Sequence, residues 1–121
     1  MSRQTRSYEL FDLGYFLEKP KMEWYTAHYL ARPEDALDPM ASPLLGDVSG
    51  VCPAALLIAG FDPLRDEGHA YADRLREAGV SVQHHCHTSL VHGYVQMGGA
   101  VDAAQRAIAD VGAALRRGLL G

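Results

Sequence analysis

The sequence predicts an α/β chain: strand, helix, strand, helix, preceded by short helices. Three observations carry this. The continuous apolar run Ala54 to Ala59 is what a strand buried on both faces requires. Val80 to about Cys86 has the two-residue period of a second strand, with Val80, Val82, His84 and Cys86 on one face and Ser81, Gln83 and His85 on the other. Between and after them lie segments whose apolar residues recur at intervals of three and four, as on a helix. That alternation makes the two strands parallel neighbours joined by a right-handed crossover.

Residues 1–30 form the first segment. It is rich in aromatics (Tyr8, Phe11, Tyr15, Phe16, Trp24, Tyr25, Tyr29), and Pro20 is expected to divide it into two helical pieces. Met22, Tyr25 and Tyr29 share one helical face. As large aromatics, Trp24, Tyr25 and Tyr29 are expected in a core or an interface, with a pocket wall as the alternative. Residues 31–53 turn polar, and Pro33, Pro39, Pro43 and Pro53 punctuate a long irregular connection. Residues 54–121 are the βαβα unit. Its first helix has Asp66 and Glu67 in the opening turn, an apolar face of Tyr71, Leu75 and Ala78, and Gly79 as the residue that ends it. Its last helix is expected over about Gly99 to Arg117, with a stripe of Val101, Ala104, Ile108, Val111 and Leu115 and with Arg116 and Arg117 complementing its dipole. Two strands are too few for a stable sheet. An unpaired edge remains on a strand that reads as interior, so a second copy or a complementing chain is expected to cover it.

Composition narrows the function. At 121 residues this is one domain at most, with 48% hydrophobic and 21% charged residues and a net charge of −4. Its two lysines are Lys19 and Lys21, and the arginines are interspersed with acids, which argues against nucleic acid and against an anionic membrane surface as partners. The longest apolar run falls far short of the roughly 20 residues a spanning helix needs. Near Arg3 and Arg6 there is no apolar leader core, because Asp12 and Glu18 interrupt the Phe11 to Leu17 patch. Cys52 and Cys86 form no C-x-x-C pair and are expected as reduced thiols in a cytoplasmic protein.

Two positions carry candidate chemistry. Asp62 ends the first strand and precedes Pro63, which is an ordinary helix-capping dipeptide, yet open α/β sheets place their chemistry just beyond strand C-termini. His92 lies in the glycine-flanked loop LVHGY after the second strand. An acid followed by a histidine is the order required downstream of a serine in a Ser-His-Asp machine, where the acid fixes the imidazole tautomer and the imidazole moves the proton. The serine is not here. No G-x-S-x-G elbow occurs: Gly46 and Gly50 have the spacing, but Val48 lies between them. Ser42, Ser49 and Ser89 lack the strand-to-helix elbow a nucleophile needs.

SPLLGDVSG from Ser42, CPAALLIAGFDPLRDEG, YADRLREAGV and VHGY together resemble the C-terminal part of the hormone-sensitive-lipase-like α/β-hydrolases, which are bacterial carboxylesterases and lipases. The block D-P-L-x-D-E-G followed by H-G-aromatic is the specific element, and the helical pieces before it resemble the segment preceding the acid strand. The resemblance implies a partial α/β-hydrolase fold containing the last two parallel strands. It implies Asp62 as triad acid, His92 as base, an ester substrate once the remainder is supplied, and no cofactor or metal. Cys52 stands where a proline is common; the H-G-G-G oxyanion motif is absent, and His92-Gly93 is followed by Tyr94 and cannot replace it. The chain is therefore expected to be the C-terminal portion of an ester hydrolase, inactive alone. The alternative is an inert truncated or split module that acts through self-association. A weaker third reading takes the cluster His84, His85, Cys86 and His87 as metal-binding, since His85 and His87 share a strand face and could chelate, but a structural zinc site usually needs four converging ligands.

Overall fold

A computed structural model describes residues 5–120; the ends of the segments predicted over 1–30 and 54–121, residues 1–4 and Gly121, lie outside them. The elements are helices α1 (Arg6–Leu10) and α2 (Lys19–Tyr29), strand β1 (Ala54–Phe61), helix α3 (Arg65–Glu77), strand β2 (Val82–Val91) and helix α4 (Asp102–Leu120). Short 3-10 helices at Pro33–Leu37 and Pro43–Leu45 are the regular pieces of the long connection, and a third at Tyr94–Gln96 follows β2. β1 and β2 pair in parallel, as predicted, and among the described residues they are the whole sheet.

The helices cover opposite faces. Gly68 on α3 lets the helix backbone approach the Ile58 side chain, whereas the next residue, Ala59, clusters with Ala104 and Ala107 of α4, Leu90 and Tyr94. The same alternation turns His84 towards His69 of α3 and joins Gln83 to Arg117 of α4, in accord with the predicted parity. Leu75 is the largest fully buried apolar side chain of α3; by area, burying such a leucine contributes about 1.5–3 kcal/mol. Gly79 ends α3 in the left-handed region at φ +79°.

Several expectations are corrected. The break between the first two helices falls at residues 11–18, and Pro20 sits in the first turn of α2, where its missing N–H leaves no bond unmade. α2 buries no residue: Trp24, Tyr25 and Tyr29 are exposed, and Trp24 stacks on His28. Tyr25 and Tyr29 do line a surface cavity of about 540 Å³. The aromatics that dock the lead-in are instead Phe11 and Tyr15, whose rings meet Phe61 at the end of β1, each at 5.8 Å between centroids. Ser7 completes this attachment, its hydroxyl donating to the Pro63 carbonyl and its N–H to the Asp66 carboxylate. β2 continues past Cys86 to Val91. α4 is buried along an alanine seam of Ala104, Ala107 and Ala114, and Ile108 and Leu115 of the predicted stripe remain exposed. Small side chains let the helix axis lie close to the sheet, which turns the larger ones outward.

Candidate active site

Parallel strands deliver their C-terminal loops to one edge of the sheet. Phe61 and Val91 are register partners, so the residues that follow them, Asp62 and His92, are brought together across thirty residues of sequence. An irregularity in the ladder makes this pairing possible. Register passes from Ala59 opposite His87 to Phe61 opposite Val91, so β2 carries two more residues than β1 across that step. Without it Phe61 would face Ser89, and Leu90 would take the place beside Asp62. Gly60 lies at this step; a Cβ there would fall inside the contact distance of the Thr88 carbonyl and Cα. Only glycine permits that approach.

Asp62 divides its carboxylate between two tasks. Oδ1 accepts the Leu64 N–H at 2.8 Å in a side-chain turn ahead of α3, whose N-cap is Leu64, so the expected Asp-Pro cap is displaced: Asp62 shapes the approach to the helix rather than capping it. Oδ2 lies 2.8 Å from His92 Nδ1. A carboxylate only accepts, so Nδ1 carries the proton, and Nε2, without a partner among the described residues, is left with its lone pair. The acid side chain is 10% exposed and the imidazole 41%. The Asp62 hydrogen bond raises the pKa of His92 above the ordinary imidazole value against the opposing effect of burial.

The loop holds the histidine by backbone shape. Gly93 has φ +74°, and a Cβ on it would come within 3.1 Å of the Phe16 ring. Phe16 itself is held at φ +73°, a left-handed conformation that costs an L-residue about 1–2 kcal/mol. Sequence reasoning missed Phe16 and Gly60 because both act through tertiary contacts rather than through a local motif.

Asp62 and His92 open on a groove of about 670 Å³, whose apolar wall includes Leu44, Leu57, Leu64 and Tyr71. Ser42 also lines it, but its buried hydroxyl donates to the Ala36 carbonyl at 2.7 Å. The arrangement offers a base with an oriented lone pair beside an apolar cleft.

A family described by the alpha/beta hydrolase fold matches residues 1–96. The chain belongs to the α/β-hydrolase family. Among relatives in that family, it is 46% identical over 101 residues to the carboxylic ester hydrolase LipN of Mycobacterium tuberculosis, covering 79% of this chain and 27% of that protein. It is 41% identical over 114 residues to an ethyl acetate hydrolase of Pseudomonas putida, covering 93% of this chain and 36% of the relative. The crystal structure of a thermostable esterase from Pseudomonas putida superposes with a TM-score of 0.92 at 34% identity, over 98% of this chain and 39% of that one. The chain thus spans roughly a third of the length of the hydrolases it matches.

Proposed function

We propose that this chain carries the acid and the base of a carboxylic-ester hydrolase of the hormone-sensitive-lipase-like branch, with Asp62 and His92 in those roles. Residues 54–121 are the unit that carries them. The observation behind this reading is the 2.8 Å contact between Asp62 Oδ2 and His92 Nδ1 at the mouth of the groove. The serine and the oxyanion donors come from outside these 121 residues, where the relatives have about two further thirds of their length. The names those relatives bear favour a hydrolase over an inert module.

In the complete catalytic unit, His92 Nε2 takes the proton of the serine hydroxyl as its oxygen bonds to the ester carbonyl carbon. The resulting imidazolium is stabilised by the Asp62 carboxylate. Collapse of the tetrahedral intermediate breaks the bond to the alcohol, which leaves with that proton. Water then adds to the acyl-serine by the same exchange, and the carboxylic acid departs. Free thiols at Cys52 and Cys86 favour a reducing compartment, the cytoplasm, as the location.

The test is p-nitrophenyl ester hydrolysis by the complete unit. Asp62→Asn and His92→Ala should each lower kcat on the order of 10³–10⁴-fold or more with the fold retained. Activity within tenfold of wild type in either variant overturns the assignment.

A further inference from the structure

The α4 face of β2 brings together a second set of groups, apart from the Asp62–His92 pair. His85 and His87, two residues apart on the strand, project to the same side, with ring centroids 4.5 Å apart. Across from them stands Asp110 of α4. One ligand atom from each of the three lies within 4.8 Å of the others, and among the described residues this is the one cluster of three or more such side chains. We propose that His85, His87 and Asp110 bind a divalent cation of the zinc type, which clips α4 to β2.

Donor chemistry selects the ion. Two imidazole nitrogens and one carboxylate oxygen suit zinc, cobalt, nickel or copper, whereas magnesium and calcium require mostly oxygen ligands. Around a tetrahedral zinc with bonds of about 2.0–2.1 Å the donors stand roughly 3.4 Å apart. The three groups must therefore close by little more than an ångström. His85 and Asp110 are exposed and free to swing, whereas the strand ladder and the alanine seam hold the two backbones. His87 Nε2 is buried without a hydrogen-bond partner among the described residues, a polar atom whose desolvation nothing offsets. With water in the fourth position the three residues make the open type of zinc site, one protein ligand short of the closed structural kind. Cys86 lies between the two histidines and points to the opposite face, which removes the thiolate from the set.

The test is calorimetric titration of the 121-residue protein, free of any histidine tag, with zinc chloride and with magnesium chloride, beside thermal unfolding followed by circular dichroism. One zinc per chain should bind, magnesium should not, and saturating zinc should raise Tm by several degrees, because a ligand that binds only the folded state stabilises it. His85→Gln and Asp110→Asn, both at exposed positions, should weaken zinc binding by about tenfold or more and remove the Tm shift while leaving the metal-free spectrum unchanged. His69→Gln, which alters the separate pair His69 and His84 on the α3 face, should leave zinc binding as in wild type. Absence of stoichiometric zinc binding, or binding that survives His85→Gln and Asp110→Asn, overturns the proposal. So does binding lost in His69→Gln.

Discussion

Two histidine–carboxylate groupings belong to β2 and the loop beyond it, and they are built in opposite ways. At the strand's end His92 is bonded to Asp62 at 2.8 Å, with its pKa raised by that bond. In the strand's middle His87 meets Asp110 only loosely, and burial pushes its pKa below the ordinary value. Backbone geometry makes the difference. The first pair is fixed by ladder register, a left-handed glycine and a turn that engages the carboxylate's other oxygen. The second spans a strand and a helix that touch through alanines, so its side chains are near one another without being locked. A poised base needs the first kind of construction.

The largest expected effect separates orientation from catalysis. The 121-residue chain alone should hydrolyse p-nitrophenyl acetate no faster than a free-imidazole control, because an oriented base contributes only when a nucleophile lies within its reach. A fluorophosphonate probe run alongside should label no serine. Saturable turnover with stoichiometric labelling would show that the first grouping is more complete than described.

Next in size is the register that creates the pair. Gly60→Ala places a methyl against the Thr88 backbone, which cannot swing aside, and should lower unfolding stability by about 3 kcal/mol, at the upper end of overpacking costs. Urea unfolding measures it. Gly93→Ala should cost less, about 1–2 kcal/mol for left-handed strain, with the Phe16 ring free to shift slightly. Equal effects from the two substitutions would mean that the ladder irregularity is softer than its geometry implies.

Much of the first grouping was legible in the sequence. Asp62 and His92 were legible as a pair rather than singly. Each alone reads as an ordinary cap or loop residue, whereas acid-then-histidine order beyond two successive strands, joined to the family resemblance, singles them out, and the βαβα order requires parallel pairing. What distinguishes Val91 from Ser89 as the partner of Phe61 was not legible, because a ladder irregularity is set by packing between strands. The lead-in misled for a related reason. Met22, Tyr25 and Tyr29 have the spacing of a buried face, but α2 has no surface among the described residues to bury it against, while Phe11 and Tyr15 found Phe61. The stripe on α4 was displaced because the sheet accepts alanine more closely than isoleucine or leucine. Asp110 could not have been matched to His85 and His87 without knowing how α4 lies across β2.

A smaller effect concerns pH. His92 has a raised pKa in the folded state, so its contribution to stability is complete below the unfolded value of about 6.5 and is lost as pH rises through the folded value. Asp62→Asn removes that contribution. The stability difference between wild type and Asp62→Asn, from urea midpoints, should therefore be larger at about pH 6 than at about pH 8. A difference that grows with pH would reverse the sign and place the stabilising proton elsewhere.

The pairing itself is tested most directly by nitrogen-edited NMR titration of the His92 imidazole in the 121-residue protein. The expected result is a proton on Nδ1, an unprotonated Nε2 in the neutral ring, and a pKa above that of an unperturbed histidine that falls in Asp62→Asn. A His92 that titrates at or below the ordinary value, carries its neutral-state proton on Nε2, or is unmoved by Asp62→Asn would contradict the account.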